Sequence, residues 1–162
     1  MTVHWDNEVV INLPPDELWA TFIDLFSAPR LPGVSMSLRQ TSPGPIGLGT
    51  TIQARRVILG FETRLLQTVT AYDPPHALAV TIEGRPFRMV ERVTLESVPG
   101  GTKLREVIDM ELIVVLRLLW PLIGPFQRRR HQRDMRELKT KLEAEARLPA
   151  TLLAAARSEQ LD

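Results

Sequence analysis

Two periodicities divide the chain. Near its start, "EVVINLPPDELW" places Val9 and Ile11 two apart, a strand-like beat, and Pro14 and Pro15 then pre-set φ for a first helical turn. Leu18, Trp19, Phe22, Ile23 and Phe26 recur at helical spacing behind Asp16 and Glu17, acids where a helix N-terminus favours them. Pro29 and Pro32 end that helix. From about residue 34 to 115 the beat is that of strands: "SMSLRQ", "TTIQARRVI", "FETRLLQTVTAY", "ALAVTIE", "FRMVERVTLESV" and "TKLREVIDMELIVV". Their separators, "TSPGPIGLG", "LG", "DPPH", "GRP" and "PGG", are turn chemistry, and connections this short make antiparallel neighbours. With the first strand the count is seven. After residue 117 the period is helical again: Phe126, His131, Met135, Leu138, Leu142 and Ala146 form a stripe, and Pro125 to Arg147 predicts a helix of about 35 Å. Pro149 ends it, leaving "ATLLAAARSEQLD" as a short helix or tail. The expectation is an α+β fold, one domain over 1–148 and a tail over 149–162.

The greasiest stretch, "LIVVLRLLWPLIGPFQRRRH", raises the question of a membrane. A span needs about 20 mostly apolar residues. Glu111 and Arg117 leave only Leu112–Leu116 and then Leu118–Phe126, the second run containing Pro121, Gly124 and Pro125. A mid-span arginine alone costs roughly 2.5–3.5 kcal/mol, so a crossing is disfavoured. A peripheral contact, apolar face in lipid and arginines on headgroups, stays open.

Composition changes this picture little. The 162 residues are 44% hydrophobic and 24% charged, enough for a real core, and the net charge of +1 gives no field to gather nucleic acid. The chain has no cysteine, which excludes disulfides and thiolate chemistry. His4, His76 and His131 match no metal-ligand spacing, so no metal or cofactor is expected. "QRRRHQR" lacks interleaved aromatics and reads as a solvated helix face rather than a nucleic-acid surface. "MTVHWDNEVVIN" shows no secretory pattern, which makes the cytoplasm the default location.

The sequence resembles the START-related, birch-allergen-like superfamily (SRPBCC), which includes polyketide cyclases and lipid-transfer proteins. The resemblance runs over residues 3–147 through "INLPPDELWATFID", "LGTTIQAR", "VTAYDPPHALAVTI", "TLESVPGGTKLREVIDMEL" and "MRELKTKLEAEA", in this order and at these spacings. It implies a helix-grip fold, a curved antiparallel sheet around the long C-terminal helix. It also implies a cavity between sheet and helix for a hydrophobic or amphipathic small molecule. On this reading "MELIVV" ends the last strand and "RLLWPLIGPF" is the bend and first helical turns, closing one end of that cavity. Trp120 is then a plug at the cavity end or an exposed anchor.

Strand parity supplies the candidate chemistry. Glu106 shares a face with Leu104, Ile108, Met110 and Leu112; Glu91 with Phe87, Met89, Val93 and Leu95; Arg56 with Ile52, Ala54 and Ile58; Thr63 and Gln67 with Leu65 and Val69. Lys103, Arg105, Asp109 and Glu111 take the opposite parity. If the "PGG" turn pairs Leu95 with Leu104, Val93 lies opposite Glu106 and Glu91 is its diagonal neighbour. Two carboxylates so close push one pKa up unless a cation reaches them. Glu91 and Glu106 are therefore candidate acid/base residues, with Arg56 or His131 orienting an oxygen. A structural ion pair of Arg56 with either acid is the plainer reading, and a ligand-orienting polar cluster lies between. The candidate ligand contacts are Arg56, Thr63, Leu65, Gln67, Val80, Ile82, Met89, Glu91, Val93, Glu106, Ile108, Met110, His131 and Met135. The plainer reading of His131 is a core or rim histidine, and of Trp19 and Phe22 core. A single bulge would reverse a strand's parity. Three functions remain: binding of a hydrophobic or amphipathic ligand, a polyketide-type aromatase/cyclase or dehydratase, and an interaction module with a filled interior.

Overall fold

The computed structural model describes residues 2–27, 36–58, 61–84, 87–112 and 114–145. Seven strands and two helices follow in the order β1 (Thr2–Ile11), α1 (Pro15–Ser27), β2 (Met36–Gln40), β3 (Thr51–Ile58), β4 (Phe61–Asp73), β5 (Ala77–Gly84), β6 (Phe87–Val98), β7 (Gly101–Leu112) and α2 (Val114–Glu145). The strands form one antiparallel sheet in the order β1-β7-β6-β5-β4-β3-β2. This is the helix-grip architecture that the family resemblance implies. The sequence-predicted tail, 149–162, lies outside the described residues.

Consecutive strands pair because their connections are short, and β1 closes the sheet against β7. The β6–β7 turn carries Gly100 and Gly101 at φ of 93° and 137°, conformations costly for a side chain. A Cβ on Gly101 would also come within 2.1 Å of the Ile11 carbonyl oxygen, so the turn and the end of β1 can meet only over hydrogen. Beside it, the buried Thr102 hydroxyl donates to the Leu13 carbonyl at 2.7 Å.

The two faces of the sheet separate by chemistry. On the outer face Arg105 donates twice to Asp6, at 2.9 and 2.6 Å, and Asp109 accepts from Arg92 at 2.7 Å and pairs with His4 at 2.8 Å. Lys103 pairs with Glu96. These cross-strand pairs are exposed and hold register more than they add stability. The inner face buries Ile11, Ile52, Ala54, Leu65, Val69, Leu78, Val80, Ile82, Val93, Leu95 and Leu104 with Leu18 and Trp19 of α1. One irregularity breaks the alternation. The β4 register shifts between Val69 and Ala71, after which Tyr72 pairs with the buried Leu78. The extra residue turns Tyr72 into the core, where its ring lies 5.6 Å from that of Trp19.

The long helix begins earlier than its sequence suggests. β7 ends at Leu112, and Val114 is already helical, so α2 runs through Pro121 and Pro125 instead of starting at Pro125. Each proline lacks the N–H that would bond the carbonyl four residues before it. Both are exposed, so the freed carbonyls of Arg117 and Pro121 lie on the watered side of the helix. Leu142, fully buried, fixes the far end of α2 in the main core, and the Asn12 backbone N–H donates to Glu143 at 2.9 Å. Among the described residues no helix is long and apolar enough to cross a membrane.

Candidate functional site

Register lays the inner face out as rows. Gln67, Ile82, Met89, Met110 and Val3 follow one another across β4, β5, β6, β7 and β1. The next row is Val69, Val80, Glu91, Ile108 and Trp5, and the next Leu78, Val93, Glu106 and Asn7. The pairs Leu95–Leu104 and Val93–Glu106 are those that the "PGG" turn predicts. Four polar side chains therefore run diagonally over an otherwise apolar face: Gln67, Glu91, Glu106 and Asn7. The β4 bulge lies beyond Val69 and leaves the parity of Thr63, Leu65 and Gln67 intact.

Burial follows the rows. Gln67 is 5% exposed and Glu106 9%, while Leu65, Val80, Ile82, Val93, Ile108 and Met110 are buried. Thr63, Met89, Glu91, Phe87, Trp5 and Asn7 keep partial exposure although they face inward. The described buried apolar residues form two clusters rather than one. The smaller holds Val3, Ile108, Met110 and Leu112 with Trp5 and Trp120, and Phe87 and Met89 touch both. Glu91, Glu106 and Asn7 lie where the two clusters meet, and Gln67 lies among Leu65, Val69 and Ile82 of the larger one.

The electrostatics centre on Glu91. Its surroundings of protein, the neighbouring charge of Glu106 and a hydrogen bond with Glu106 push its carboxyl up to about 8. The partial exposure of Glu91 is compatible with that desolvation, because surface turned into a concavity is accessible without facing bulk water. At neutral pH Glu91 is thus mostly a neutral carboxylic acid hydrogen-bonded to its neighbour. Two further atoms stand out. Gln67 Oε1 and Asn7 Nδ2 are buried with no hydrogen-bond partner, a condition that costs about 1–3 kcal/mol each.

Sequence parity places Thr63, Gln67, Glu91 and Glu106 on one face with Leu65, Val80, Ile82, Met89, Val93, Ile108 and Met110, and the register brings the two acids together. Arg56 pairs with Thr63 in register, but its side chain, like those of His131 and Met135 on α2, lies outside the described residues. Asn7 and Trp5 escaped the sequence reading. The signal was present: Val3, Trp5, Asn7, Val9 and Ile11 alternate without a break. Trp120 turns inward, its ring 6.0 Å from that of Trp5 and its indole against Gly124, rather than standing out as an exposed anchor. Among the described residues no group of histidines and acids could hold a metal ion.

Known proteins agree with this architecture. Ara h 8.0201 superposes with a TM-score of 0.65 at 15% identity, covering 90% of this chain and 98% of that one. Norcoclaurine synthase from Thalictrum flavum, solved in complex with dopamine and hydroxybenzaldehyde, gives 0.62 at 17% identity, covering 92% and 90%. The Zhui aromatase/cyclase from Streptomyces sp. R1128 gives 0.58 at 16% identity, covering 70% of each chain. At such identities the likeness carries the fold alone. No curated protein matches the sequence. The family described as polyketide cyclase / dehydrase and lipid transport matches residues 2–143. With that match spanning most of its length, the chain belongs to the polyketide cyclase / dehydrase and lipid transport family, within the START-related helix-grip superfamily.

Proposed function

We propose that the protein binds a hydrophobic or amphipathic small molecule between the inner face of the sheet and α2. The observation that carries this reading is the polar diagonal: Gln67, Glu91, Glu106 and Asn7 lie on an otherwise apolar inner face, and Gln67 Oε1 and Asn7 Nδ2 are buried there with no hydrogen-bond partner. Inward-facing Trp5, Asn7, Met89 and Glu91 keep partial exposure on that face. A pocket of apolar walls with a few placed polar groups is the usual form of a small-molecule site. Between Trp120 and Leu142, α2 supplies about 33 Å of helix to roof it. His131 and Met135 fall on that segment and join Arg56, Thr63 and Gln67 as proposed contacts. The neutral apolar fluorophore N-phenyl-1-naphthylamine should brighten on adding the protein, and native mass spectrometry should find a co-purified small molecule. A dark probe together with a bare mass would remove the proposal.

A second reading is favoured by the Glu91–Glu106 contact. A neutral acid beside a charged one is the arrangement that acid/base work on a ketone requires. Glu91 would give its proton to the carbonyl oxygen while Glu106 takes one from the adjacent carbon. The enol that forms can close onto a second carbonyl: its α-carbon bonds to that carbonyl carbon, Glu106 gives its new proton to that oxygen, and Glu91 takes back the enol O–H proton, which restores both acids. The expected result is that Glu91→Gln and Glu106→Gln retain probe binding but cut turnover of a linear poly-β-ketone by about 100-fold. Equal turnover in all three proteins would retire the catalytic role.

The outer face of α2 supports a peripheral lipid contact. Leu118 and Leu122 are 77% and 80% exposed, and Pro125, Arg129, Arg133 and Arg136 continue the same exposed stripe. An apolar end followed by three arginines complements an anionic bilayer surface.

A further inference from the structure

We infer that the ligand is a neutral molecule with a hydroxyl at one end of an apolar middle and a hydroxyl or carbonyl at the other, and that Gln67 receives the first end and Asn7 the second. The inference rests on the binding reading above and specifies its chemistry. Gln67 is 5% exposed and aimed inward between Leu65 and Val69, yet its Oε1 has no partner; Asn7 Nδ2 is likewise buried and unpaired. Buried polar groups are almost always hydrogen-bonded, and two orphans on one face of one sheet point to a partner that arrives from outside the chain. An amide offers a donor and an acceptor from the same plane, so a hydroxyl satisfies it in either orientation.

The placement of the two amides sets the pattern. Gln67 lies on β4 and Asn7 on β1, at opposite ends of the polar diagonal, each two strands and one row from Glu91. With strands about 4.8 Å apart and side chains on one face about 7 Å apart along a strand, each amide is about 12 Å from Glu91 along the sheet. Between them the face presents Ile82, Met89, Val80 and Ile108, which offer a ligand's middle only apolar contact. Glu91 and Glu106 lie in that middle stretch too. They repel an anionic group placed among them, and the proton that Glu91 holds is engaged with Glu106. A free fatty acid, with one charged end and one bare end, fits this pattern poorly.

The test is displacement of N-phenyl-1-naphthylamine by a matched series: dodecane-1,12-diol, dodecan-1-ol and dodecanoate. A purely apolar pocket prefers the mono-alcohol, because a second hydroxyl must lose its water. Two waiting amides reverse that order. The expected result is that the diol displaces the probe at least threefold more tightly than the mono-alcohol, with dodecanoate weakest. Gln67→Leu and Asn7→Leu should each restore the plain apolar order. Because each removes an orphaned polar group, each should also leave the melting temperature of the free protein unchanged or raised by a few degrees. A wild-type protein that takes up the probe but prefers dodecan-1-ol or dodecanoate overturns this inference and leaves binding itself standing. Leucine variants that melt earlier and keep the wild-type order overturn it as well, since the amides would then be structural. Failure of the probe to bind overturns the binding reading and this inference together.

Discussion

At the scale of single residues, Glu91 is the feature with the widest reach. Its carboxyl titrates near 8 in the folded protein, against an unfolded value near 4.5, so the native state holds a proton that the unfolded chain has released. Stability from this group is therefore complete below about pH 4.5 and is lost as pH rises towards 8. Glu91→Gln removes the ionisation, and the variant should gain on wild type by on the order of 2 kcal/mol at pH 9, with no gain at pH 5. Urea melts at the two pH values decide it; parallel curves would mean that Glu91 is ionised throughout. Most of this neighbourhood is written in the sequence, since Gln67, Glu91 and Glu106 each share parity with apolar residues whose burial is plain. What parity cannot supply is the contact between the acids, which depends on how β6 and β7 slide past one another. Asn7 is a different failure: reading the first strand as beginning only at "EVVIN" cut it off from the alternation it belongs to.

At the scale of elements, β4 and α2 show where pattern and structure part. The strand period carries β4 correctly to Val69, and then one extra residue reverses it so that Tyr72 can pack on Trp19. No local preference in "TVTAYD" announces that step; it answers the needs of α1 on the other side of the core. In α2 the prolines argue for a helix that starts late, because a proline interior to a helix costs about 3 kcal/mol in isolation. Tertiary packing overrides that preference: Trp120 is anchored on Trp5 at one end and Leu142 in the main core at the other. Leu142→Ala should therefore cost about 2–5 kcal/mol, as a truncation at a fully buried site does. Denaturant unfolding would measure it, and a loss under 1 kcal/mol would show that the helix end is not held there. Gly101→Ala should be worse, since its Cβ meets the Ile11 carbonyl in a backbone conformation that alanine avoids; the expected outcome is loss of soluble folded protein on expression.

At the scale of the whole molecule, the order and spacing of elements made an antiparallel α+β fold legible, because seven short strands with tight turns and one long terminal helix leave few ways to bury their apolar faces. The family resemblance supplied the helix-grip plan. The outer surface of α2 was less legible: "QRRRHQR" reads only as a solvated helix face, whereas Arg129 and Arg133, with Arg136 beyond that run, fall in line behind Leu118 and Leu122. Vesicles containing anionic phosphatidylserine should carry the protein upward in a flotation gradient, and Leu118→Ser with Leu122→Ser should reduce the floated fraction severalfold. Equal flotation by the double variant would assign those leucines no part in the contact. The paired indoles of Trp5 and Trp120 have a consequence of another kind. Held 6.0 Å apart and tilted by 33° on separate elements, they are near enough for their excited states to mix, so the circular dichroism of the native chain carries an optical signature of where the rod lies against the sheet. A guest that lifts the rod would announce itself by the fading of that couplet, with no dye attached.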